Sequence, residues 1–498
     1  MTAADSAVRP GRRFRVAVIG AGVSGLYMAE RLKDTDFDFV IYEKASELGG
    51  TWRDNTYPGL HVDVVSRSYE FPFQRNPDWS RRYAPGPEIQ RYLLDVAATR
   101  GLRDRITFNT EVTGCRFTDA RWELTLSDGT SEAFDAVVCA TGVLRVPLIP
   151  ALPGLDTFAG AAFHSSRWDH LAPLAGRRVG VVGMGSSGIQ IVSQLGKEGV
   201  DVTHFIRTPQ WIQVKANPAI SWLERFLLRR SERFGRVWDR YLWRLRVKAD
   251  GSERWRLEPG PERDAIAARF QQRLEQEIPD PALRQALTPE DPVGCKRVPK
   301  SPDYYQVVQR PNVHLAFGGI SHVVPEGVVG ADGTLHQLDT LVLATGFDAQ
   351  AYMRPMTVAG PGGRSIEDEW RDGPFSFRGV GVPGFPNFFL LSGPFSPINS
   401  VAVTLSLESE TKFVLDLLER SRRKGDAIAP SAAATGRFLN DVAAALPRTT
   451  YWLCGNWYTG SGRLPLVWPW TRAEYRAQFA HAEDDFVPSA ADEFQLTD

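Results

Sequence analysis

Gly20-Ala-Gly22-Val-Ser-Gly25 and Gly183-Met-Gly185-Ser-Ser-Gly188 repeat one pattern, G-x-G-x-x-G, and each copy stands between an apolar run and a helical one. Arg15-Val-Ala-Val-Ile19 leads into the first copy and Arg178-Val-Gly-Val-Val182 into the second. Helical patterns follow over Leu26 to Leu32 and Ile189 to Leu195. In such a unit the first glycine permits a tight turn, the second lets the backbone approach a pyrophosphate, and the third packs helix on strand. The helix N-terminus then offers its unpaired N–H groups to the phosphates. One copy is weak evidence. Two complete strand–loop–helix units predict an α/β chain that binds two nucleotides at once.

The second strand of each unit separates the two ligands. The run Phe37-Asp-Phe-Val-Ile-Tyr42 ends in Glu43, about 20 residues past the glycines, where a carboxylate accepts hydrogen bonds from ribose hydroxyls. That suits the adenosine of FAD, or NAD. The equivalent run of the second unit, Asp201-Val-Thr-His-Phe-Ile206, ends in Arg207 and Thr208. A carboxylate there would repel a 2'-phosphate, whereas a guanidinium grips it through two charge-assisted hydrogen bonds, so the second ligand is expected to be NADPH. Ser186, Ser187 and Gln190, in and just beyond the second loop, are expected to join its cofactor set.

Composition fits a large enzyme of two or three domains: 498 residues, 43% hydrophobic and 23% charged. A net charge of -1 gives no electrostatic reason to expect nucleic acid or an anionic membrane as partner. Met1 to Arg13 is polar and basic without the apolar core of a secretory signal, and no apolar run reaches bilayer-spanning length, so a cytoplasmic setting is expected. Cys115, Cys139, Cys295 and Cys454 form no Cys-x-x-Cys pair, which argues against a flavin-linked disulfide reductase and makes buried spectators the expectation. No metal ligand set is read. Oligomeric state is open.

The chain reads as two nested Rossmann-like dinucleotide-binding domains with a helical insert. Residues 1–150 and 346–498 are assigned to the FAD-binding domain, 151–213 and 293–345 to the NADPH-binding domain, and 214–292 to the insert. The nesting is inferred from Asp135-Ala-Val-Val-Cys-Ala-Thr-Gly142 and its near-copy Asp339-Thr-Leu-Val-Leu-Ala-Thr-Gly346, each a buried strand closing one unit, and from the Pro/Gly-rich connector at Pro147 to Gly160. A helix is expected at Pro87 to Thr99 and short strands at Glu111 to Leu126. Within the insert, Trp222, Phe226, Leu227, Phe234, Trp238, Tyr241 and Leu242 fall at helical spacing. That stripe reads as a core face, with an interfacial membrane helix as the alternative.

Between the two units, Phe158-Ala-Gly160-Ala-Ala-Phe-His164-Ser-Ser-Arg-Trp168 matches F-x-G-x-x-x-H-x-x-x-W. The chain thereby resembles the type I Baeyer-Villiger monooxygenases, class B flavoproteins. The resemblance implies that His164 and Trp168 couple movements of the two domains. It extends over nearly the whole chain. Gly49-Gly50-Thr51-Trp52, Tyr57-Pro-Gly59 and Asp63 resemble the flavin-side loop, with Trp52 covering the isoalloxazine; Tyr69 and Val112 are expected among the cofactor-binding residues. Cys295-Lys296-Arg297, followed by Asp303-Tyr-Tyr305, is similar to the segment bearing the family's active-site arginine; it implies that Lys296 joins Arg207 on the 2'-phosphate and Arg297 faces the flavin. Asn456-Trp457-Tyr458 resembles the segment whose tryptophan contacts the nicotinamide nucleotide. Here the chain departs, reading Thr459-Gly-Ser-Gly462 where many members have Gly-Ala-Asn-x-x-Gly. Gly393 to Ser400 lies where relatives line the substrate pocket.

The resemblance implies insertion of one oxygen atom of O2 into a ketone through a C4a-peroxyflavin, giving an ester or lactone at the expense of NADPH. Arg297 is expected to hold a fixed positive charge beside the developing anion, oriented by Asp63 through a bidentate pair. Two alternatives stay open at this point: an N- or S-oxygenating flavin monooxygenase, which depends less on Arg297, and an NADPH-oxidising flavin redox sensor.

Overall fold

The computed structural model describes residues 12–398, 402–455 and 464–488. Two five-stranded parallel sheets organise them. The first runs, edge to edge, Phe388–Leu390, Ala136–Cys139, Arg15–Ile19, Asp38–Tyr42, Ile106–Thr107. The second runs Val313–Phe317, Asp201–Ile206, Arg178–Val182, Thr340–Leu343, Ala161–His164. In both, the strand that leads into a glycine fingerprint is the central one. Its residues are apolar without alternation because helices cover both faces of such a sheet; Val16, Ala17, Val18, Val179 and Val181 are wholly buried. This is the doubly wound architecture expected, built twice.

The fingerprint helices span Val23–Leu32 and Ser186–Lys197, each starting three residues before its apolar pattern does. Gly22 and Gly185 take the N-cap positions with extended backbone, so the polar residues after them already belong to the first turn. The predicted helix before the antiparallel strands spans Gly86–Thr99, and the strands themselves Val112–Thr118, Arg121–Leu126 and Ser131–Phe134.

The chain completes the whole second sheet before Phe388–Leu390 returns to the edge of the first. The two connections cross side by side: Leu148 N–H donates to Gly346 O and Asp348 N–H to Val146 O, both at 2.9 Å. The segment around residues 158–168 is more than a connector. Its Ala161–His164 stretch is an edge strand of the second sheet, paired with Thr340–Leu343.

The insert is helical, with Trp222–Arg230, Glu232–Asp250, Pro261–Glu277 and Pro281–Leu287 as its longer helices, the first two capped by Ser221 and Ser231. Its aromatic stripe is not a core face. Trp222 is 72% exposed and Phe226 and Tyr241 about half, while Leu227, Phe234, Trp238 and Leu242 are half-buried and Phe234, Trp238 and Tyr241 stack on one another. The first two helices dock on the first unit through ion pairs, Arg67 with Asp239 and Arg82 with Glu224. Among the described residues, no helix is long and apolar enough to cross a membrane.

Candidate active site

Each glycine of a fingerprint is fixed by a different constraint. Gly20 and Gly183 have φ of +103° and +108°, a region that side chains avoid. At Gly25 and Gly188 a Cβ would lie 1.9 Å from the carbonyl oxygen of Gly20 and of Gly183, so helix packs on turn only without one. Gly185 has neither reason. Its φ suits any residue and a Cβ would meet nothing within 4 Å; at Gly22 it would meet only Gly50 Cα, at 3.8 Å. The space in front of these two glycines faces two helix N-termini without side-chain caps, which is what a pyrophosphate requires. The residues present fit two dinucleotides.

Both fingerprints open on a single cavity of about 1300 Å³. That exceeds the roughly 300–1,000 Å³ of a site for one drug-sized ligand. Of the residues expected at the site, Gly20, Gly22, Glu43, Gly50, Thr51, Trp52, Asp63, Tyr69, Val112, Gly183, Gly185, Ser186, Ser187, Gln190, Arg207, Thr208, Lys296 and Arg297 line it. Gly25 and Gly188 lie beneath the turns, and Trp457 lies outside the described residues, as does the end of the Gly393 to Ser400 loop.

On the first unit's side, Glu43 is buried and ties the loop together. Its carboxylate accepts from Ala21 N–H at 2.9 Å, from Ala45 N–H at 3.0 Å and from Arg53 Nη1 at 2.9 Å. Trp52, on the short helix Thr51–Asp54, donates through Nε1 to Tyr69 Oη at 3.0 Å. Burial raises the Tyr69 phenol to about 12, so it stays a protonated donor at working pH.

The loop after Trp52 meets the second unit. Tyr57 donates to Gln190 Oε1 and accepts from Ser187 Oγ, each at 3.0 Å, and Gln190 Nε2 donates to His61 O at 3.1 Å. A Cβ on Gly59, at φ +81°, would strike Gln190 O at 2.7 Å, so this loop lies directly on the second fingerprint helix. Ser187 and Gln190 thus hold the loop after Trp52 as well as lining the cavity. Tyr57 was legible only as part of a motif, and nothing in the sequence marked its bond to Gln190.

Asp63 joins the units at the centre. Its Oδ2 accepts from Ser186 Oγ at 3.0 Å, from Arg297 Nε at 3.3 Å and from Arg297 Nη2 at 3.2 Å. The pair is therefore not bidentate, because both guanidinium donors converge on one carboxylate oxygen. The other, Oδ1, is buried without a protein donor among the described residues. Lys300, unforeseen from sequence, donates to Asp63 O at 2.5 Å and fixes the backbone there.

Lys296 lines the cavity with Arg207 and is paired with Asp291 at 2.6 Å. The residue before it corrects an expectation: Cys295 is bonded to Cys454, 159 positions away, with Cα atoms 5.9 Å apart. Sequence distance concealed the pair because the chain folds back between them. Cys115 and Cys139 are buried and free. His164 is buried where the two crossings meet; Nδ1 accepts from Ser166 N–H at 3.1 Å while Nε2 faces Gly346 O at 2.9 Å. Trp168 packs edge-on against Phe163, ring centres 5.2 Å apart, within the second unit's apolar cluster.

The model of the family described as flavin-binding monooxygenase-like matches residues 13–234. An uncharacterised monooxygenase of Mycobacterium tuberculosis (strain H37Rv) is 42% identical over 475 residues, 95% of each chain. A Baeyer-Villiger monooxygenase of Streptomyces coelicolor is 39% identical over 478 residues, 93% of this chain and 90% of that one. Among solved structures, OTEMO in complex with FAD and NADP superposes with a TM-score of 0.86 at 28% identity, covering 95% of this chain and 99% of that one. The closed form of cyclohexanone monooxygenase gives 0.86 at 30% identity, covering 96% and 99%.

Proposed function

This chain belongs to the Baeyer-Villiger members of the flavin-binding monooxygenase family and works with FAD and NADPH, and from that premise we propose that it inserts one oxygen atom of O2 beside the carbonyl of a small-molecule ketone, yielding an ester or lactone. The two alternatives, a heteroatom oxygenase and a redox sensor, are not favoured by these relatives. The observation that carries the reading is Arg297, held by Asp63 at the seam where the two nucleotide units share one cavity.

Bound FAD, reduced by NADPH, supplies the oxygen activation that no amino-acid side chain can. Everything else falls to the chain. Gly22 and the N-terminus of Val23–Leu32 would hold the FAD pyrophosphate, Glu43 the ribose with Val112 near it, two residues beyond the Thr110 that donates to Glu43 O, and Trp52 and Tyr69 the wall beside the flavin ring. Gly185 and the N-terminus of Ser186–Lys197 would hold the NADPH pyrophosphate, with Arg207, Thr208 and Lys296 on the 2'-phosphate side. We assign 1–150 and 346–498 to the FAD domain, 151–213 and 293–345 to the NADPH domain, 214–292 to the insert, and the whole to the cytoplasm.

A nucleophilic oxidant adding to a carbonyl builds negative charge on the carbonyl oxygen. Arg297 stays charged across the working pH, and Asp63 aims it. Leu144, Met353, Met356 and Val403 add apolar surface to the cavity, which keeps water from the reacting groups.

Arg297→Ala tests the assignment. Stopped-flow absorbance with NADPH is expected to show flavin reduction within about tenfold of wild type, while ester formation from a panel of cyclic, linear and aryl ketones falls by about 10²-fold or more, the usual scale for losing one oxyanion-stabilising donor. Ester formation at the normal rate would remove Arg297 from the chemistry.

A further inference from the structure

The Cys295–Cys454 bond sits where a tether has consequences. Its Cα separation of 5.9 Å is ordinary for a disulfide. On one side it leads directly into Lys296 and Arg297; on the other it leads into Gly455, which lines the shared cavity. A second clamp holds the same junction, for the buried Thr450 donates through Oγ1 to Gly294 O at 3.0 Å. Asp291 completes the cluster. It is paired with Lys296, and its carboxylate and the two sulfurs lie within 4.8 Å of one another. None of these sulfur atoms has a part in the oxygenation.

We propose that Cys295 and Cys454 are a reversible redox site. The disulfide pins the 450–455 segment beside Lys296 and Arg297 and keeps the affinity for NADPH high; its reduction lowers that affinity. The inference rests on the reading of Lys296 as an NADPH residue. In a reducing compartment a permanent structural disulfide is uncommon, whereas one that cycles is typical of redox sensing.

The oxidant is a hydroperoxide, hydrogen peroxide in the simplest case. Cys295 is fully buried and Cys454 is partly open, so a small oxidant reaches Cys454 first. Its thiolate attacks one peroxide oxygen, the O–O bond breaks, and the departing hydroxide leaves as water after taking a proton, with Cys454 as the sulfenic acid. Cys295 then attacks the Cys454 sulfur, the S–S bond forms, and the second oxygen leaves as water. Asp291, next to both sulfurs, accepts the Cys295 proton and passes it to that leaving oxygen. Two thiols lose two electrons and two protons, and the peroxide that gains them becomes two waters. A dithiol reverses the bond by thiol–disulfide exchange.

The test uses the FAD-loaded enzyme treated with dithiothreitol or with hydrogen peroxide, the Cys295–Cys454 peptide cross-link being quantified by mass spectrometry in each state. On reduction, KM for NADPH is expected to rise about five- to tenfold, on the usual scale of coupling between sites, while kcat stays within about twofold; peroxide restores it. Cys454→Ser should show the high KM in both states, and Cys115→Ser should follow wild type. Reduction of wild type tests the same point should Cys454→Ser fold poorly. An equal KM in the two states with the cross-link shown to open, or no cross-link in either state, overturns the proposal. Lys296→Ala and Arg207→Ala separate the premise: if neither raises KM for NADPH, the cofactor reading fails, whereas a rise in both without redox dependence leaves that reading standing and rejects the switch.

Discussion

Replacing Gly185 by alanine puts a methyl group into space that no described residue beyond its own turn occupies within 4 Å, whereas the same change at Gly188 drives Cβ against the Gly183 carbonyl oxygen. The first is expected to leave Tm within about 2 °C of wild type and to weaken NADPH binding by about tenfold or more, because only the ligand would feel the methyl. The second is expected to cost about 1–3 kcal/mol of overpacking, seen as a Tm several degrees lower. Thermal melts beside NADPH titrations decide the matter; a destabilised Gly185→Ala with unchanged affinity would mean that the turn, not the pyrophosphate, requires that glycine. His164 makes a second prediction at this scale. Burial depresses its pKa below the ordinary 6.5, since a charged imidazole would lose water and its Nδ1 could no longer accept from Ser166 N–H. The unfolded chain then binds the proton more readily, so the stabilisation His164 provides is fully present above pH 6.5 and is lost as pH falls through its lower folded value. The Tm gap between wild type and His164→Gln should therefore shrink as pH is lowered below about 6.5; a gap independent of pH would show that His164 does not titrate in this range.

At the scale of elements, the two units echo each other beyond their glycines. Asp135 accepts from Arg15 N–H at 2.8 Å and Asp339 from Arg178 N–H at 2.9 Å, so in each unit the aspartate before the closing strand caps the first residue of the fingerprint strand. Asp135 also pairs with Arg12, and Arg178 pairs with Asp339 at 2.8 Å through its side chain. The strands and helices of both units were legible because period, apolar runs and turn glycines are local signals. Ala161–His164 was not legible as a strand: it is four residues long, and its hydrogen-bonding partner lies at Thr340–Leu343, far along the chain. The same reason hid the Cys295–Cys454 bond. The aromatic stripe of the insert failed differently. Helical spacing tells which residues share a face but not whether another element covers it, and here Trp222 is 72% exposed while none of the stripe is fully buried. Within the site, Asp63, Ser186 and Arg297 were each legible as residue types in motifs, but their convergence on one carboxylate oxygen arises only when two units come together.

On the scale of the whole molecule, the two units are held by three kinds of contact. Their connections run side by side through Leu148 and Gly346, the loop after Trp52 lies on the second fingerprint helix through Tyr57, Ser187 and Gln190, and Asp63 joins Ser186 to Arg297. The reading of His164 and Trp168 as coupling residues predicts that relative movement of the two units during the catalytic cycle is transmitted through these contacts. Gly346 O ties the crossing to the edge strand of the second sheet, because it accepts from Leu148 N–H and faces His164 Nε2. Trp168 lies just beyond His164 and steadies that strand by packing on Phe163 inside the second unit. Trp168 is not among the residues that line the cavity, so in Trp168→Ala bound flavin per chain is expected to stay at the wild-type value. The edge strand bearing His164 loses its support, and the rate of flavin reduction by NADPH in stopped flow is expected to change by about fivefold or more, the lower end of measured couplings between sites. Reduction at the wild-type rate would make the crossing a passive joint and would leave the positioning of NADPH to the loop on Gln190 and the Asp63 junction alone.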